Sequence, residues 1–116
     1  MNEAARRGDI WIVDWSPARG SEQAGMRPAL VVQTDAANLN PRYPNVIVLA
    51  ISTKGKQVPF HVSVSPSQEC GLRETSFVKC EQVLTISKDR LIRRIGSLNE
   101  TLLREVETGL RRVLQL

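Results

Sequence analysis

The sequence contains the run VIVLAIS at residues 46–52, in which every residue but the last is apolar. An apolar run of this length is typical of a central β-strand that is covered on both faces. Outward from it, alternating residues and short apolar runs predict further strands on both sides. These strands cover residues 10–15, 29–33, 59–64, 76–80, 83–86 and 90–95, and polar loops occupy residues 16–28 and 34–45.

The end of the chain changes period. Its apolar residues recur at helical spacing and form one stripe, which consists of Leu102, Leu103, Val106, Leu110, Val113 and Leu114. Ser97 and Glu100 have the S-x-x-E spacing of a capping box, which predicts the start of the helix. Because strands precede a single helix without βαβ alternation, we expect a mainly β (α+β) fold. It would be a small curled antiparallel β-barrel with a C-terminal α-helix, in a single domain over residues 1–116.

Composition narrows the function without selecting one. The formal net charge is +4, which suits a polyanionic partner but does not by itself establish nucleic-acid binding. No run approaches the ~20 consecutive apolar residues of a membrane span. The N-terminal residues lack the apolar core of a signal peptide. We therefore expect a cytoplasmic protein without a membrane partner.

Cysteine and histidine usage argues against a metal centre. Cys70 and Cys80 are the only cysteines, and His61 is the only histidine. Two thiols beside one imidazole do not make a convincing zinc site, so we expect small apolar fillers at both cysteines and neither metal nor cofactor. His61 alternates with Val62 and Val64 along its strand, which predicts a solvent-facing side chain, with a catalytic role as the less favoured alternative.

The loop over residues 16–28 has more polar and charged side chains than a simple connection between two strands requires. Its functional groups are interleaved with small residues that let the backbone approach a ligand closely. They belong to Arg19, Ser21, Glu22, Gln23 and Arg27. Composition alone leaves a solvated hairpin loop and a ligand-binding loop equally favoured.

Three segments of the sequence resemble a known family. Residues 8–33 contain GDIWIVDW, RGSEQ and MRPALVVQ. They are similar to the N-terminal signature of the MazF/PemK toxins of type II toxin–antitoxin systems, in which a G-[ST]-E-Q loop precedes R-P and an apolar strand. AISTK at 50–54 resembles the family's strand with its Ser/Thr pair, and residues 76–96 resemble its final strands. The family fold is a small β-barrel of the MazF/CcdB type with a C-terminal helix, which agrees with the strand pattern.

The resemblance implies an endoribonuclease, or mRNA interferase. Such a toxin cleaves single-stranded RNA at specific sequences without a metal, leaves 2′,3′-cyclic phosphate and 5′-OH ends, and inhibits translation and growth. Arg27 and Thr53 are the implied catalytic residues, and Glu22 is implied in a supporting role. A guanidinium fork matches two phosphate oxygens, so Arg27 is expected to stabilise transition-state charge. For Glu22, a general base and a carboxylate paired with a neighbouring arginine are equally favoured.

Several further side chains are expected to contact RNA. Lysines after Thr53 suit phosphates, and polar side chains suit base edges. The expected set is Trp15, Arg19, Ser21, Gln23, Ser52, Lys54, Lys56 and Gln82. Base stacking on Trp15 is less favoured than a core or interface position. Gln82 follows Glu81 where the family more often has Asp-Gln, which leaves its role open.

The resemblance also implies partners. Family members are homodimers with an RNA channel along the subunit interface, and a cognate MazE-like antitoxin blocks that channel with an extended acidic tail. A positively charged chain suits such a tail electrostatically. Two alternatives stay open: a CcdB-like toxin that binds DNA gyrase and catalyses nothing, and a catalytically degenerate RNA-binding barrel.

Overall fold

The computed structural model describes residues 4–16 and 25–116. Its strands and helices are β1 (Asp9–Asp14), β2 (Met26–Val31), α1 (Asp35–Asn38), β3 (Asn45–Ser52), β4 (His61–Val64), β5 (Ser76–Ser87), β6 (Leu91–Ser97) and α2 (Glu100–Leu114). A short 3₁₀ turn over Lys88–Arg90 joins β5 to β6. No helix in this described part of the chain is long and apolar enough to cross a membrane.

The described strands form one six-stranded sheet in the order β4-β5-β3-β2-β1-β6. Every pairing in it is antiparallel. β3 lies inside the sheet between β2 and β5, as its apolar run predicts. Leu49 and Ile51 belong to one buried cluster, and Val46 and Val48 belong to another. Because successive side chains of a strand point to opposite faces, β3 is covered on both faces.

The C-terminal helix α2 covers the first of these clusters. Val106 is fully buried in it, and three of the four leucines of the predicted stripe, Leu102, Leu103 and Leu110, pack against it. The helix approaches the sheet closely at Gly109, where a Cβ atom would lie 2.7 Å from the Sγ atom of Cys80. The stripe is therefore confirmed from Leu102 to Leu110 as the surface that joins helix to sheet, and it is wrong at Leu114, which is 51% exposed.

The two cysteines are buried and free, as expected for apolar fillers. Cys80 lies in the first cluster with no exposed surface. Burial raises the pKa of its thiol to about 11, so the group stays a neutral thiol at physiological pH.

The sheet is curled, and a loop covers the gap between its edge strands β4 and β6. After β4, the chain passes along β6, where the Ser97 N–H donates to the Glu69 carbonyl at 2.8 Å. Gly71 has a φ of +75°, and a Cβ atom there would lie 2.0 Å from the Ile95 carbonyl oxygen. The mainly β fold with a C-terminal helix is confirmed, but the barrel is completed by this loop rather than by strand pairing.

The helix start differs from the predicted capping box. Ser97 is the last residue of β6, and Asn99 is the N-cap of α2. The Asn99 Oδ1 atom accepts the Leu102 N–H at 2.9 Å. Asn has a short acceptor that suits this position, so the cap lies two residues after the serine that the S-x-x-E pattern selects.

Strand and loop boundaries also differ in places. The predicted loop over residues 16–28 is wrong at its end, because β2 already begins at Met26. The separate strands predicted at 76–80 and 83–86 form the single strand β5, which bends where its pairing with β3 shifts. The predicted loop over 34–45 contains the one-turn helix α1.

Candidate functional site

Arg27 lies on a strand rather than in a loop. It is the second residue of β2, where it pairs with Val13 of β1, and it is exposed. β2 then pairs with β3 through Ala29 and Ala50. Continuing that register by two residues brings Arg27 beside Ser52, and paired residues of neighbouring strands share a face of the sheet. The backbone of Arg27 is paired with β1 and lies two residues before the part of β2 that pairs with β3.

Thr53 is the first residue after β3 and is exposed. It begins the connection to β4, which we call loop 53–60. The Lys54 N–H donates to the Ser52 Oγ atom at 3.1 Å, so the Ser52 hydroxyl holds the first turn of this loop. Register therefore brings the exposed guanidinium of Arg27 and the exposed hydroxyl of Thr53 to neighbouring strand ends.

Gln82 lies on the same face through an irregularity in β5. The β3–β5 register shifts between Leu49↔Val83 and Ile51↔Val78. Bulges of this kind bend a strand and redirect side chains, and they are frequent beside active sites. The register on the Leu49↔Val83 side of the shift brings Gln82 beside Ala50. Ala50 pairs with Ala29, which is two residues from Arg27 on the same face of β2. Strands two positions apart are separated by about 10 Å, so Arg27 and Gln82 flank a surface the width of a nucleotide strand.

The pairing of β4 with β5 brings His61 to Glu81, because His61 lies opposite Lys79 and Glu81 is the next residue of β5 on the same face. The His61 Nε2 atom lies 2.8 Å and 3.0 Å from the two carboxylate oxygens of Glu81. On the other side of the ring, the Lys56 N–H donates to Nδ1 at 3.0 Å. An atom that accepts an N–H carries no proton, so the ring proton resides on Nε2 and is donated to Glu81.

The solvent-facing position predicted for His61 is wrong. Its side chain is 6% exposed, against 35% for Glu81. The ring of Phe60 packs edge-on against it at a centroid distance of 5.4 Å. Strand alternation correctly separates His61 from Val62 and Val64, but this face is covered by loop 53–60 and by Glu81 instead of solvent.

The loop between β1 and β2 is closed at its base by a set of contacts that we call the neck. The Trp15 N–H donates to the Gly25 carbonyl at 3.1 Å. The Arg90 guanidinium donates to the Asp14 carbonyl at 3.0 Å and also to the Ser16 carbonyl. The Asp14 carboxylate accepts the Ser16 N–H at 2.9 Å and the Ser16 hydroxyl. These hydrogen bonds from Ser16 lower the pKa of Asp14 below its ordinary value of 3.8.

The structure brings part of the predicted site together. Six of the predicted residues belong to the adjoining ends of β2 and β3, to loop 53–60 or to the bend of β5, namely Arg27, Ser52, Thr53, Lys54, Lys56 and Gln82. Trp15 is half-buried and packs against the second apolar cluster, so a core role is confirmed for part of its surface. Arg19, Ser21, Glu22 and Gln23 lie outside the described residues.

Sequence reasoning missed the His61–Glu81 pair and the role of Arg90. Glu81 is twenty residues from His61 and Arg90 is more than seventy from Asp14, so neither contact has a local pattern. The available signal is weak: an isolated histidine opposite apolar neighbours, and an acidic residue between two predicted strands.

The exposed groups of the site suit a negatively charged ligand. Arg27, Lys54 and Lys56 supply positive charge, and Thr53 supplies a hydroxyl donor. The nearby carboxylates of Asp14 and Glu81 are occupied by Ser16 and His61. Within residues 4–16 and 25–116, no three His, Cys, Asp or Glu side chains come together in a group that could hold a metal ion. Such a surface can hold a phosphate group and stabilise charge that develops on its oxygens.

Comparison with known proteins agrees with this surface. The family model described as PemK-like, MazF-like toxin of type II toxin–antitoxin system matches residues 6–114. An endoribonuclease MazF from Staphylococcus epidermidis is 34% identical over 108 residues, which cover 90% of this chain and 87% of that protein. An endoribonuclease MazF from Staphylococcus saprophyticus is 36% identical over the same length and coverage.

The fold comparison gives the same result. An endoribonuclease from a mycobacterial species, solved in complex with its cognate antitoxin, has a TM-score of 0.80 and 25% identity, and the match covers 97% of both chains.

Proposed function

The chain belongs to the PemK-like, MazF-like family of type II toxins, and on that premise we propose how its site cleaves RNA. The protein is the endoribonuclease toxin of a type II toxin–antitoxin system, as its curated relatives are endoribonucleases. Its proposed substrate is single-stranded mRNA, cut at specific sequences without a metal ion, with inhibition of translation and growth as the result. The gyrase-binding alternative is not favoured by these relatives.

The observation that carries this mechanism is the juxtaposition of Arg27 and Thr53. Both residues are exposed, and each stands where a strand meets a loop at the same edge of the site. Because Arg27 is on a paired strand, its guanidinium starts from a fixed backbone. Preorganised donors of this kind stabilise developing charge without reorganisation during the reaction.

The reaction supplies its own nucleophile. The ribose 2′-oxygen attacks the adjacent phosphorus, the O2′–P bond forms and the P–O5′ bond breaks. The 2′-hydroxyl loses a proton and the leaving 5′-oxygen gains one, so the products are a 2′,3′-cyclic phosphate and a 5′-hydroxyl. The protein must orient the two groups, move protons and stabilise the charged phosphorane-like state. Arg27 binds two phosphate oxygens through its fork of donors, and Thr53 donates a hydrogen bond to the same group.

Three side chains are candidates for the proton transfers, namely Arg27, His61 and Glu22. A guanidinium has five N–H donors and no acceptor, so Arg27 suits a donor rather than a base. Both nitrogens of His61 are already hydrogen-bonded to protein, so His61 is not the base of this proposal. Glu22 retains its proposed supporting role on the basis of the sequence resemblance alone.

RNA binding is proposed to divide between phosphates and bases. Lys54 and Lys56 contact phosphates beside the scissile bond, which adds affinity without sequence information. Gln82 and the exposed part of Trp15 face the adjoining surface, where one offers a base-edge hydrogen bond and the other a stacking face. Arg19, Ser21, Gln23 and Ser52 complete the proposed contacts.

The partner is a MazE-like antitoxin. The mycobacterial relative was solved with its cognate antitoxin, and the positive charge of this site suits an acidic segment. We further propose a homodimer that acts in the cytoplasm, where its RNA substrate resides.

The direct test is incubation of the purified protein with RNA of mixed sequence in EDTA, followed by sequencing of the product ends. We expect cleavage at a defined sequence, with cyclic phosphate on one side and hydroxyl on the other. Arg112→Ala is the matched control for Arg27 variants, since Arg112 is an exposed arginine of α2. No cleavage, or cleavage that EDTA abolishes, would contradict the proposal.

A further inference from the structure

Loop 53–60 carries two of the proposed phosphate contacts, and its course is fixed by specific contacts. The Ser52 Oγ atom accepts the Lys54 N–H. Gly55 lies against the ring of Phe77, where a Cβ atom would be 2.2 Å from the Cγ atom. The Lys56 N–H then donates to His61 Nδ1 at 3.0 Å. Lys54, Gly55 and Lys56 themselves are exposed, so the loop depends on these partners for its position.

The side chain of His61 is buried and is held by hydrogen bonds at both ring nitrogens. Its side chain is 6% exposed, and both of its nitrogens have partners. A neutral imidazole has one donor and one acceptor, and the hydrogen bond at one nitrogen selects the state of the other. The Glu81 carboxylate accepts a hydrogen bond from the Nε2–H at 2.8 Å. The carboxylate therefore keeps the lone pair of Nδ1 available for the backbone of Lys56.

We propose that the His61–Glu81 pair is a positioning device for the two lysines of loop 53–60. Glu81 fixes the ring and its tautomer, His61 fixes the Lys56 backbone, and the loop then presents Lys54 and Lys56 beside Thr53. Neither His61 nor Glu81 touches the reacting atoms in this role. The inference rests on the proposed RNA cleavage and adds the residues that set the position of its phosphate contacts.

The geometry favours positioning over acid–base catalysis. A general base must offer a free lone pair to the substrate hydroxyl. Nδ1 accepts the Lys56 N–H, and Nε2 carries a proton that it donates in a hydrogen bond to Glu81. The phosphate contacts, by contrast, need only that the lysine backbone be held in place. Removal of the acceptor at Nδ1 is therefore expected to affect RNA binding more than the chemical step.

Two substitutions separate the two nitrogens of the ring. His61→Asn places an amide oxygen near the position of Nδ1, so the acceptor for Lys56 is retained and the contact with Glu81 is lost. His61→Gln places its amide near Nε2, so the contact with Glu81 is retained and the acceptor for Lys56 is lost. A Lys54→Ala, Lys56→Ala double variant serves as the reference for complete loss of both phosphate contacts.

The first measurement is the salt dependence of kcat/KM. For single-stranded nucleic acid, the slope of log affinity against log salt changes by about 0.7 for each phosphate contact. For His61→Gln we expect a KM raised roughly 10-fold, a kcat within about 3-fold of wild type, and a slope reduced by about 1.4, as in the double-lysine variant. His61→Asn should restore the slope. If both His61 variants lower kcat and keep the wild-type slope, the positioning role is wrong.

The second measurement does not involve RNA. Amide hydrogen exchange at Lys56, followed by NMR in the free protein, should accelerate in His61→Gln and stay slow in His61→Asn. Unchanged exchange in His61→Gln would overturn the inference. Because this readout needs no cleavage, failure of the proposed function and failure of the positioning role are distinguishable.

Discussion

Two loops border the site, and they are held in different ways. At the neck of the loop between β1 and β2, the Trp15–Gly25 hydrogen bond joins the two ends, and Arg90 holds the Asp14–Ser16 end. Loop 53–60 is instead held along its length by side chains beneath it, above all by His61. Arg27 follows the first loop, and Thr53 begins the second. The two loops beside the candidate site therefore have separate anchoring contacts.

The largest expected effect is at Arg27, where the first loop returns to the sheet. Arg27→Ala should lower kcat about 10²–10³-fold, because it removes the main donor to the transition-state phosphate. Its side chain is exposed, so the melting temperature should change little. Single-turnover cleavage of a defined RNA measures the effect. Wild-type rates in this variant, with Arg112→Ala as control, would reduce Arg27 to a structural residue.

Thr53 is expected to have the next largest effect, at the start of the second loop. Thr53→Val keeps the shape of the side chain and removes the hydroxyl, and a hydrogen bond to a charged group contributes about 1.5–3 kcal/mol. The expected loss is therefore roughly 10- to 100-fold in kcat. Thr53→Ser should recover most of it. If Thr53→Ser were as slow as Thr53→Val, the methyl group rather than the hydroxyl would be the important feature.

Substitutions of Arg90 test the contacts of the neck separately from those of loop 53–60. Arg90→Ala removes the donors to the Asp14 and Ser16 carbonyls, and we expect kcat/KM to fall about 3- to 10-fold. Arg90→Lys keeps the charge but lacks the fork of donors, so it should recover only part of the activity. The salt slope should stay at the wild-type value, because the lysines of loop 53–60 are unaffected. A changed slope would show that the two anchoring schemes are coupled.

The smallest expected effect is the pH dependence of the folding stability that Asp14 contributes at the neck. Hydrogen bonds from Ser16 lower the pKa of Asp14 below 3.8, so the ionised carboxylate stabilises the folded state above that pH. This contribution is lost as pH falls through the lower folded-state value. Wild type should be slightly more stable than Asp14→Asn near neutral pH, and the difference should shrink on acidification below pH 3.8. Denaturant unfolding at several pH values measures it; a difference that grows on acidification would contradict the assignment.

Much of the fold follows from local pattern. The apolar run of β3 and the leucine stripe of α2 predict their burial because strand and helix periods are properties of a few neighbouring residues. The sequence predicts Arg27 in a loop because residues 16–28 are polar and contain three potential breakers, Pro17, Gly20 and Gly25. Pro28 is tolerated in β2 because the part of the strand that pairs with β3 begins only at Ala29.

The site itself was less predictable. Arg27 and Thr53 are selected by the family resemblance, since neither residue has an unusual local pattern. The His61–Glu81 contact depends on the register of β4 with β5, in which His61 lies opposite Lys79. Contacts of this kind depend on strand order and register, and these become visible only when the sheet is assembled.

The most direct test of the account is a double-mutant cycle between Arg27 and Thr53. The central claim is that both residues stabilise one phosphate group in one transition state. Residues that act as a unit have non-additive effects on rate. The Arg27→Ala, Thr53→Val double variant should therefore cleave RNA at nearly the rate of Arg27→Ala alone. If the two losses multiply instead, Arg27 and Thr53 act on separate steps or separate groups, and the account of the site is wrong.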